Sequence, residues 1–387
     1  MYTGHMDAGS FLLYIALGLF TGFIINRTIR IESKCLEKKE VINKNFNLYI
    51  GCWLLVLLFF ATFRKVDYYI GGMDMIGYLE NFKNIIDTKP PEGLFSESLF
   101  YYYTLTVASF TSNEVIYMAI SYFVILLGYV MFIKTYMPNN ISSIPFVMII
   151  FPFLKSFNTL STGLAVAVFL MGLALKKKSK WIGCIFIIST FFIHRMSILF
   201  VLYIPFNFVY EKYVNMGKNQ KRRVLGITIL CIVSAYYAAE YVKEVVLSLG
   251  ILDVTDRWYL TRSSYFSIFE RWPMFFAQAM LLGAMILWNK KIRDDDRVNE
   301  IKKLCVFDFI IVPISLVLGM WRANEYLYLA RLIMWGEIIT VSSNRFTTKS
   351  RFVYRWGCFA GVIIWLCYRI YAEWDELKIM PYILELF

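Results

Sequence analysis

Residues 51–82 read GCWLLVLLFFATFRKVDYYIGGMDMIGYLENF. The apolar run 51–63 is typical of a membrane helix, and it ends at Arg64, ahead of a double glycine and Asp74. Beyond Asp74, apolar residues recur at helical spacing over 75–86, until the prolines at 90–91 stop the pattern. The stretch therefore predicts a membrane helix, a polar turn and a short amphipathic helix at the membrane surface.

The rest of the chain has the composition of an all-α, polytopic membrane protein. Hydrophobic residues make up 59% of the 387 residues and aromatic residues 18%, against roughly 45–50% apolar residues in soluble domains. The apolar residues fall into runs of about 15–20, close to the length of a helix that crosses ~30 Å of hydrocarbon. The net charge of +12 comes largely from short basic loops without a nucleic-acid-binding motif, so we expect no nucleic-acid partner.

The apolar runs predict about twelve membrane spans in one membrane domain, residues 1–387. The spans are expected at about 10–26, 46–63, 115–133, 143–157, 160–175, 181–194, 196–210, 224–240, 273–289, 304–320, 326–343 and 353–371. Loops rich in Lys and Arg belong in the cytoplasm, which places 27–44, 176–180, 211–223, 289–303 and 344–355 on that side. Both termini then face out.

The segment LFYYYTLTVASFT (99–111) does not fit as a further span, because counting it would move every later basic loop outside. We therefore expect it to be re-entrant or interfacial and buried against protein. With this topology, the outer loops 64–114 and 241–272 form the cavity that holds most of the polar chemistry.

The sequence gives no sign of a metal or cofactor site. Its seven cysteines form no CxxC pair, and all but Cys35 lie inside apolar runs. No acidic cage, phosphate-binding glycine loop or serine-nucleophile motif is recognisable. We therefore expect no metal and no cofactor.

Two candidate catalytic residues lie at outer ends of the predicted helices. Asp74 would cap the amphipathic helix, or act as a carboxylate at the rim of a cavity, and the two roles are compatible. His194 ends a span and precedes Arg195. It is either a solvated side chain or a general acid or base, since ionisable groups at membrane depth are costly and histidine titrates near neutral pH.

The outer loops and helix ends carry cations that the positive-inside rule does not require. They are Lys155, Arg257, Arg262, Arg271, Arg322 and Arg331. Each can be explained by snorkelling or by a nearby acid, yet together they are typical of a phosphate pocket, because guanidinium groups bind phosphate bidentately. Asp308 and Glu337, inside predicted spans, would instead favour a proton- or ion-coupled transporter.

Four segments, in order, resemble motifs of the EpsG family of bacterial exopolysaccharide and O-antigen polymerases, the Wzy-type enzymes. They are FRKVDYYIGGMDMIGY (63–78), PEGLF (91–95), SFNTLSTGLAVAV (156–168) and FFIHRMSILF (191–200). The likeness covers about residues 60–205, with weaker similarity as far as YLYLARLIMW (326–335). The third segment departs from the family pattern, since Ser161 and Thr162 stand where the family carries Arg-Gln. Lys155 is the nearby cation that could compensate.

The resemblance implies a GT-C-like helical bundle in the bacterial cytoplasmic membrane. It implies site roles for Arg64, Asp74, Tyr78, Glu92 and His194 in an outward-facing cavity. It further implies undecaprenyl-pyrophosphate-linked oligosaccharide as both donor and acceptor, joined on the outer face of the lipid bilayer without a nucleotide sugar. A chain-length regulator protein is an optional partner.

Glycosyl transfer from a lipid pyrophosphate needs a base for the acceptor hydroxyl and positive charge at the leaving group. We expect His194 or Asp74 as the base, with Glu92 as a third candidate. The cations expected to bind pyrophosphate are Arg64, Lys155, Arg195, Arg257, Arg262, Arg271, Arg322 and Arg331. An oligosaccharide flippase, an O-antigen ligase-like transferase and a membrane acyltransferase are the alternatives.

Overall fold

The computed structural model describes residues 7–38, 44–67, 70–89, 97–214, 217, 272–317 and 321–385. Regular structure in these ranges is helical. Extended pairing within them is limited to two isolated bridges, Arg64 with Leu384 and Asp67 with Ile70. The all-α prediction is confirmed for this part of the chain.

The helices follow one another with short connections. They are α1 (Ala8–Lys38), α2 (Lys44–Thr62), α3 (Met73–Asn84), α4 (Ser98–Ala108), α5 (Glu114–Tyr136), α6 (Ile150–Lys155), α7 (Leu160–Lys176), α8 (Lys180–Ile193), α9 (Ile198–Val201), α10 (Tyr203–Val214), α11 (Trp272–Trp288), α12 (Asp296–Val317), α13 (Tyr328–Ser343) and α14 (Thr348–Leu377). Tighter 3-10 turns cover Ile144–Ile149, Arg195–Ser197 and Trp321–Glu325.

Each predicted span that falls on described residues contains helix, whereas the span 224–240 lies outside them. Among the described residues, two helical stretches are long and apolar enough to cross a membrane, Ala8–Ile31 and Glu114–Tyr136. Other apolar helices, such as Leu160–Lys176 and Lys180–Ile193, have fewer than the 18 residues taken here as the minimum for a membrane crossing. The structure is thus that of a bundle rich in apolar helices, while the twelve crossings, their sidedness and the GT-C-like arrangement stay predictions.

The tyrosine-rich segment expected to be re-entrant or interfacial contains α4. This helix has 11 residues and is therefore about 16 Å long, roughly half the thickness of the hydrocarbon layer. It packs against α8 and α3, and the hydroxyl of Tyr103 lies 2.7 Å from Oγ of Ser121 on α5. The helix is thus shorter than a membrane crossing requires, and the re-entrant or interfacial placement of the segment stays a prediction.

Helices α5, α7 and α8 form a group in which α7 packs closely against both α5 and α8. Gly128 lets α5 approach α7, because a Cβ there would lie 2.6 Å from the carbonyl oxygen of Ala167. A tight turn joins α7 to α8, so the two helices run antiparallel. The start of α7, with Ser161, and the end of α8, next to His194, therefore lie at the same end of the bundle.

Arg64 holds the connector between α2 and α3 against this group. Its guanidinium donates through Nε to the carbonyl of Gly71 at 3.0 Å, and through Nη2 to the Tyr122 hydroxyl at 2.8 Å and the Phe157 carbonyl at 3.2 Å. Nη1 donates to the carbonyl of Ala61. The side chain is buried, so its donors are used within the protein.

The C-terminal segment closes over the same connector. The amide of Lys65 donates to the carbonyl of Ile383 at 2.8 Å, and the amide of Gly72 donates to the carbonyl of Lys378 at 3.1 Å. Residues at opposite ends of the sequence thus fix the turn that leads into α3.

The double glycine is required by backbone geometry. Gly71 and Gly72 have φ of 77° and 110°, in the region that favours glycine. A Cβ on Gly72 would also lie 2.2 Å from the carbonyl oxygen of Phe157. The turn can therefore approach the 157–158 backbone only because Gly72 has no side chain, and a Cβ on Gly71 would lie 2.1 Å from the carbonyl oxygen of Lys65.

We expect Gly72→Ala to destabilise the protein strongly, because it adds both a strained φ and a clash with backbone. Gly77→Ala is the matched control, since no atom lies within 4 Å of a Cβ there, and alanine is the better helix former by about 0.5–1 kcal/mol. Thermal unfolding of the purified proteins in detergent compares them. Equal melting temperatures for the two variants would contradict this account of the turn.

Candidate active site

Asp74 lies in the first turn of α3 and points its carboxylate at Arg322. The N-cap of the helix is Gly72, and the amide of Asp74 donates to Oδ1 of Asn158 at 2.7 Å. The prediction that Asp74 caps the helix is therefore wrong, since the side chain of Asn158 supplies the acceptor. Oδ2 of Asp74 instead accepts a hydrogen bond from Nη2 of Arg322 at 2.9 Å, across 248 positions of sequence.

This ion pair is the more open part of the site. The side chain of Asp74 is 40% exposed and that of Arg322 15%. Arg322 belongs to the five-residue 3-10 turn Trp321–Glu325, called the 321–325 turn from here on. A partly exposed pair of this kind contributes little to stability but leaves both charged groups within reach of a ligand.

His194 forms a second pair, with Glu97. Nδ1 of His194 lies 2.8 Å from Oε1 of Glu97. The histidine is buried, and its Nε2 has no hydrogen-bond partner among the described residues. Glu97 is the residue just before α4, with a φ of 40°, so the start of α4 places its carboxylate beside the end of α8.

The protonation of this pair follows from its surroundings. Burial acts to raise the pKa of Glu97, but the hydrogen bond and charge of His194, together with Arg195, outweigh it and hold the pKa below its usual value. Glu97 is therefore an acceptor at neutral pH, and Nδ1 of His194 carries the proton of their hydrogen bond. In the neutral imidazole, Nε2 is then the basic nitrogen.

Tyr78 is close enough to both pairs to be affected by their charges. Its hydroxyl is 2.8 Å from Oγ of Ser161, and burial raises the pKa of Tyr78 to about 12. The charges of Glu97, Asp74 and Arg322 also shift this pKa, which means that both ion pairs are near the phenol. Tyr78 stays neutral at physiological pH, so it can hold a ligand by hydrogen bonding but cannot act as a base there.

Lys155 is buried in a network of ion pairs with Glu325 and Glu373. Its Nζ lies 2.9 Å from Oε2 of Glu373 and 3.4 Å from Oε1 of Glu325, and Arg369 also pairs with Glu373. The side chain of Lys155 is 3% exposed. The geometry therefore does not place Lys155 where it could replace the family's Arg-Gln, and Ser161 at that position bonds to Tyr78 instead.

Arg64 and Arg331 also form contacts that hold the fold together and are not part of the candidate site. As described above, the donors of Arg64 bond to carbonyl groups and to the Tyr122 hydroxyl within the fold. Nε of Arg331 lies 3.3 Å from Oδ2 of Asp308. The carboxylate of Glu337 forms a bidentate ion pair with the guanidinium of Arg293. Both intraspan acids that had favoured a transporter are thus paired with arginines.

Four predicted site residues lie outside the described residues, namely Glu92, Arg257, Arg262 and Arg271. In the described part of the chain, no group of three or more His, Cys, Asp or Glu side chains could hold a metal ion.

The sequence interpretation missed Glu97 and Asn158. Glu97 stands just ahead of an aromatic helix, and Asn158 follows a turn, which are ordinary positions for a helix start or a loop. No local signal separates them from residues without a role.

We expect Lys155→Met to destabilise the protein by about 3–5 kcal/mol, because it leaves Glu325 and Glu373 buried with too little positive charge. Lys83→Met is the control, since Lys83 is 60% exposed in its pair with Glu114 and should matter little. Melting temperature and folded yield in detergent measure both. A fully stable Lys155→Met protein with reduced activity would contradict the structural role and return Lys155 to the site.

Comparison with known proteins agrees with the motif resemblance. The family model of the EpsG family matches residues 47–384. No curated protein and no solved structure shows a significant match. The matched range includes the connector, both ion pairs and the 321–325 turn. The chain therefore belongs to the EpsG family, a family of Wzy-like polysaccharide polymerases.

Proposed function

We propose that this protein is a glycosyltransferase that polymerises oligosaccharide units carried on undecaprenyl pyrophosphate. The reaction takes place on the outer face of the bacterial cytoplasmic membrane, and the same lipid-linked compound is donor and acceptor. The observation that carries the proposal is the Glu97–His194 pair near the Asp74–Arg322 pair, with Nε2 of His194 unpartnered in the part of the chain that the structure describes. Family membership supports polysaccharide synthesis, and these residues supply the two chemical functions that the transfer needs.

The first function is removal of a proton from the acceptor hydroxyl. The hydroxyl oxygen attacks the anomeric carbon of the donor, and its proton passes to Nε2 of His194. Glu97 holds the opposite ring nitrogen and stabilises the imidazolium that forms. A buried nitrogen without a partner is costly, so a hydroxyl that reaches Nε2 also removes that cost. Asp74, which is more exposed, is the second candidate for the base.

The second function is stabilisation of the leaving group. As the new bond forms, the bond from the anomeric carbon to the pyrophosphate oxygen breaks, and the electron pair stays on that oxygen. Arg322 and Arg195 are the described cations at this end of the bundle that could bind it. Asp74 aligns Arg322, and Tyr78 stands ready to donate a hydrogen bond to a sugar or phosphate oxygen.

Purified protein, supplied with lipid-linked oligosaccharide extracted from the host, tests the proposal directly. It should produce a ladder of longer glycans without a nucleotide sugar. Movement of the compound across a vesicle membrane without any longer product would support the flippase alternative and overturn the proposal.

We expect His194→Asn to lower the rate of polymerisation by about 10²–10⁴-fold, the usual worth of a general base. The asparagine amide can still donate to Glu97 near the position of Nδ1, so the fold should be kept, but it has no basic nitrogen at the position of Nε2. The ladder assay and the melting temperature measure the two effects. A normal ladder would exclude His194 as the base and leave Asp74.

We expect Arg322→Ala to slow polymerisation by ten-fold or more, since a hydrogen bond to a charged group is worth about 1.5–3 kcal/mol. Arg351→Ala serves as control, because Arg351 bonds to the carbonyls of Ser343 and Phe346, away from the site. Polymer length and amount are compared at equal membrane levels of protein. If Arg322→Ala and Arg351→Ala behave alike, Arg322 does not stabilise the leaving group.

A further inference from the structure

A buried polar cluster connects α11, α12 and α13 to the 321–325 turn. Its members are Gln278, Asp308, Asn324 and Arg331, which are each less than a tenth exposed. We call these four side chains the polar clamp. None of them belongs to either ion pair of the candidate site.

Asn324 is the member on which the clamp converges. The amide of Gln278 donates to Oδ1 of Asn324 at 3.1 Å, and also to Oδ2 of Asp308 at 3.1 Å. Arg331 approaches the same oxygen of Asp308 and donates through Nη2 to the main-chain carbonyl of Asn324. The side chain and the backbone of Asn324 are therefore both held.

The clamp holds the 321–325 turn through Asn324. The hydrogen bonds within the turn would hold it only weakly. The 321–325 turn is a short 3-10 segment, a conformation with weak internal hydrogen-bond geometry. Arg322 precedes Asn324 by two residues, roughly 4 Å along the axis at the 3-10 rise per residue. On the other side of Asn324, Glu325 is held by Lys155. The backbone that carries Arg322 is thus held by contacts at Asn324 and Glu325, the residues that follow it in the turn.

Packing alone would favour apolar side chains at the positions of the polar clamp. Oε1 of Gln278 and Oδ1 of Asp308 are buried without a hydrogen-bond partner in the described structure. Apolar side chains of similar volume usually stabilise a core at least as well as such a partly satisfied polar group. A role in setting the position of the turn accounts for polar residues here, because hydrogen bonds are directional and apolar contacts are not.

We propose that the polar clamp positions Arg322 against the leaving pyrophosphate, with Gln278 and Asn324 as positioning residues. The inference rests on the function proposed above for Arg322. A guanidinium binds phosphate through a planar fork, and a displacement of the order of 1 Å can cost as much as 10²-fold in rate. A residue that touches no substrate can therefore control the rate through the placement of this turn.

The test is a double-mutant cycle between Gln278 and Arg322. Gln278→Leu removes both donated hydrogen bonds at similar volume. With Arg322 present, it should slow polymerisation of the host's lipid-linked oligosaccharide by about ten-fold. In the Arg322→Ala background it should slow the reaction by less than about two-fold, since the clamp then has nothing to position. Ser315→Ala is the control, because that buried hydroxyl on α12 bonds to the carbonyl of Val312 in its own helix.

The outcomes separate the inference from the proposed function. If Gln278→Leu slows the reaction by the same factor in both backgrounds, or in neither, the clamp does not act through Arg322 and the inference is overturned. If Arg322→Ala alone leaves the rate unchanged, the proposed role of Arg322 is what fails. Melting temperatures identify any variant that is merely unfolded, and Gln278→Met then takes the place of Gln278→Leu in the cycle.

Discussion

The buried guanidinium of Arg64 needs hydrogen-bond acceptors. Its bonds to them fix the connector between α2 and α3, which leads to the candidate site. A buried cation is costly unless its donors are satisfied. Here the acceptors are the Tyr122 hydroxyl and the carbonyls of Phe157, of Ala61 at the end of α2 and of Gly71 in the connector. The carbonyl of Gly71 can reach Arg64 because the two glycines accept positive φ and close backbone contact. Asp74 follows at once, so its direction toward Arg322 depends on this arrangement.

The burial of each cation and of its acidic partner distinguishes the cations that hold the fold together from those that a ligand can reach. Lys155 and Arg369 meet Glu325 and Glu373 in one buried network, and Arg331 meets Asp308. Removing cations from water without partners would cost several kcal/mol each, and these three buried cations are paired with acids. A count of cations at one end of the bundle therefore overstates the number that can bind phosphate, and Arg322, paired with an exposed carboxylate, is better placed than the buried ones.

The proposed reaction depends on elements that are far apart in the chain. The base is held by the start of α4 and the end of α8, and the leaving-group cation by the 321–325 turn and the start of α3. The Arg195–Ser197 turn contacts the 321–325 turn, and the charges of both ion pairs act on Tyr78. The bundle thus brings a proton acceptor and a positive charge to one region, as transfer from a lipid pyrophosphate requires.

The sequence by itself determined the helical character of the chain, the positions of its apolar helices, the shortness of α4 and the turn at Gly71–Gly72. These features follow from hydropathy, spacing and backbone preference, which are local properties. It also singled out Asp74, His194 and Arg322. Only the tertiary structure decided that Asp74 pairs with Arg322, that Glu97 orients His194, and that Lys155 and Arg331 are used within the fold. Pairing between charged groups depends on contacts between distant segments, and the spacing of residues along the chain does not encode those contacts.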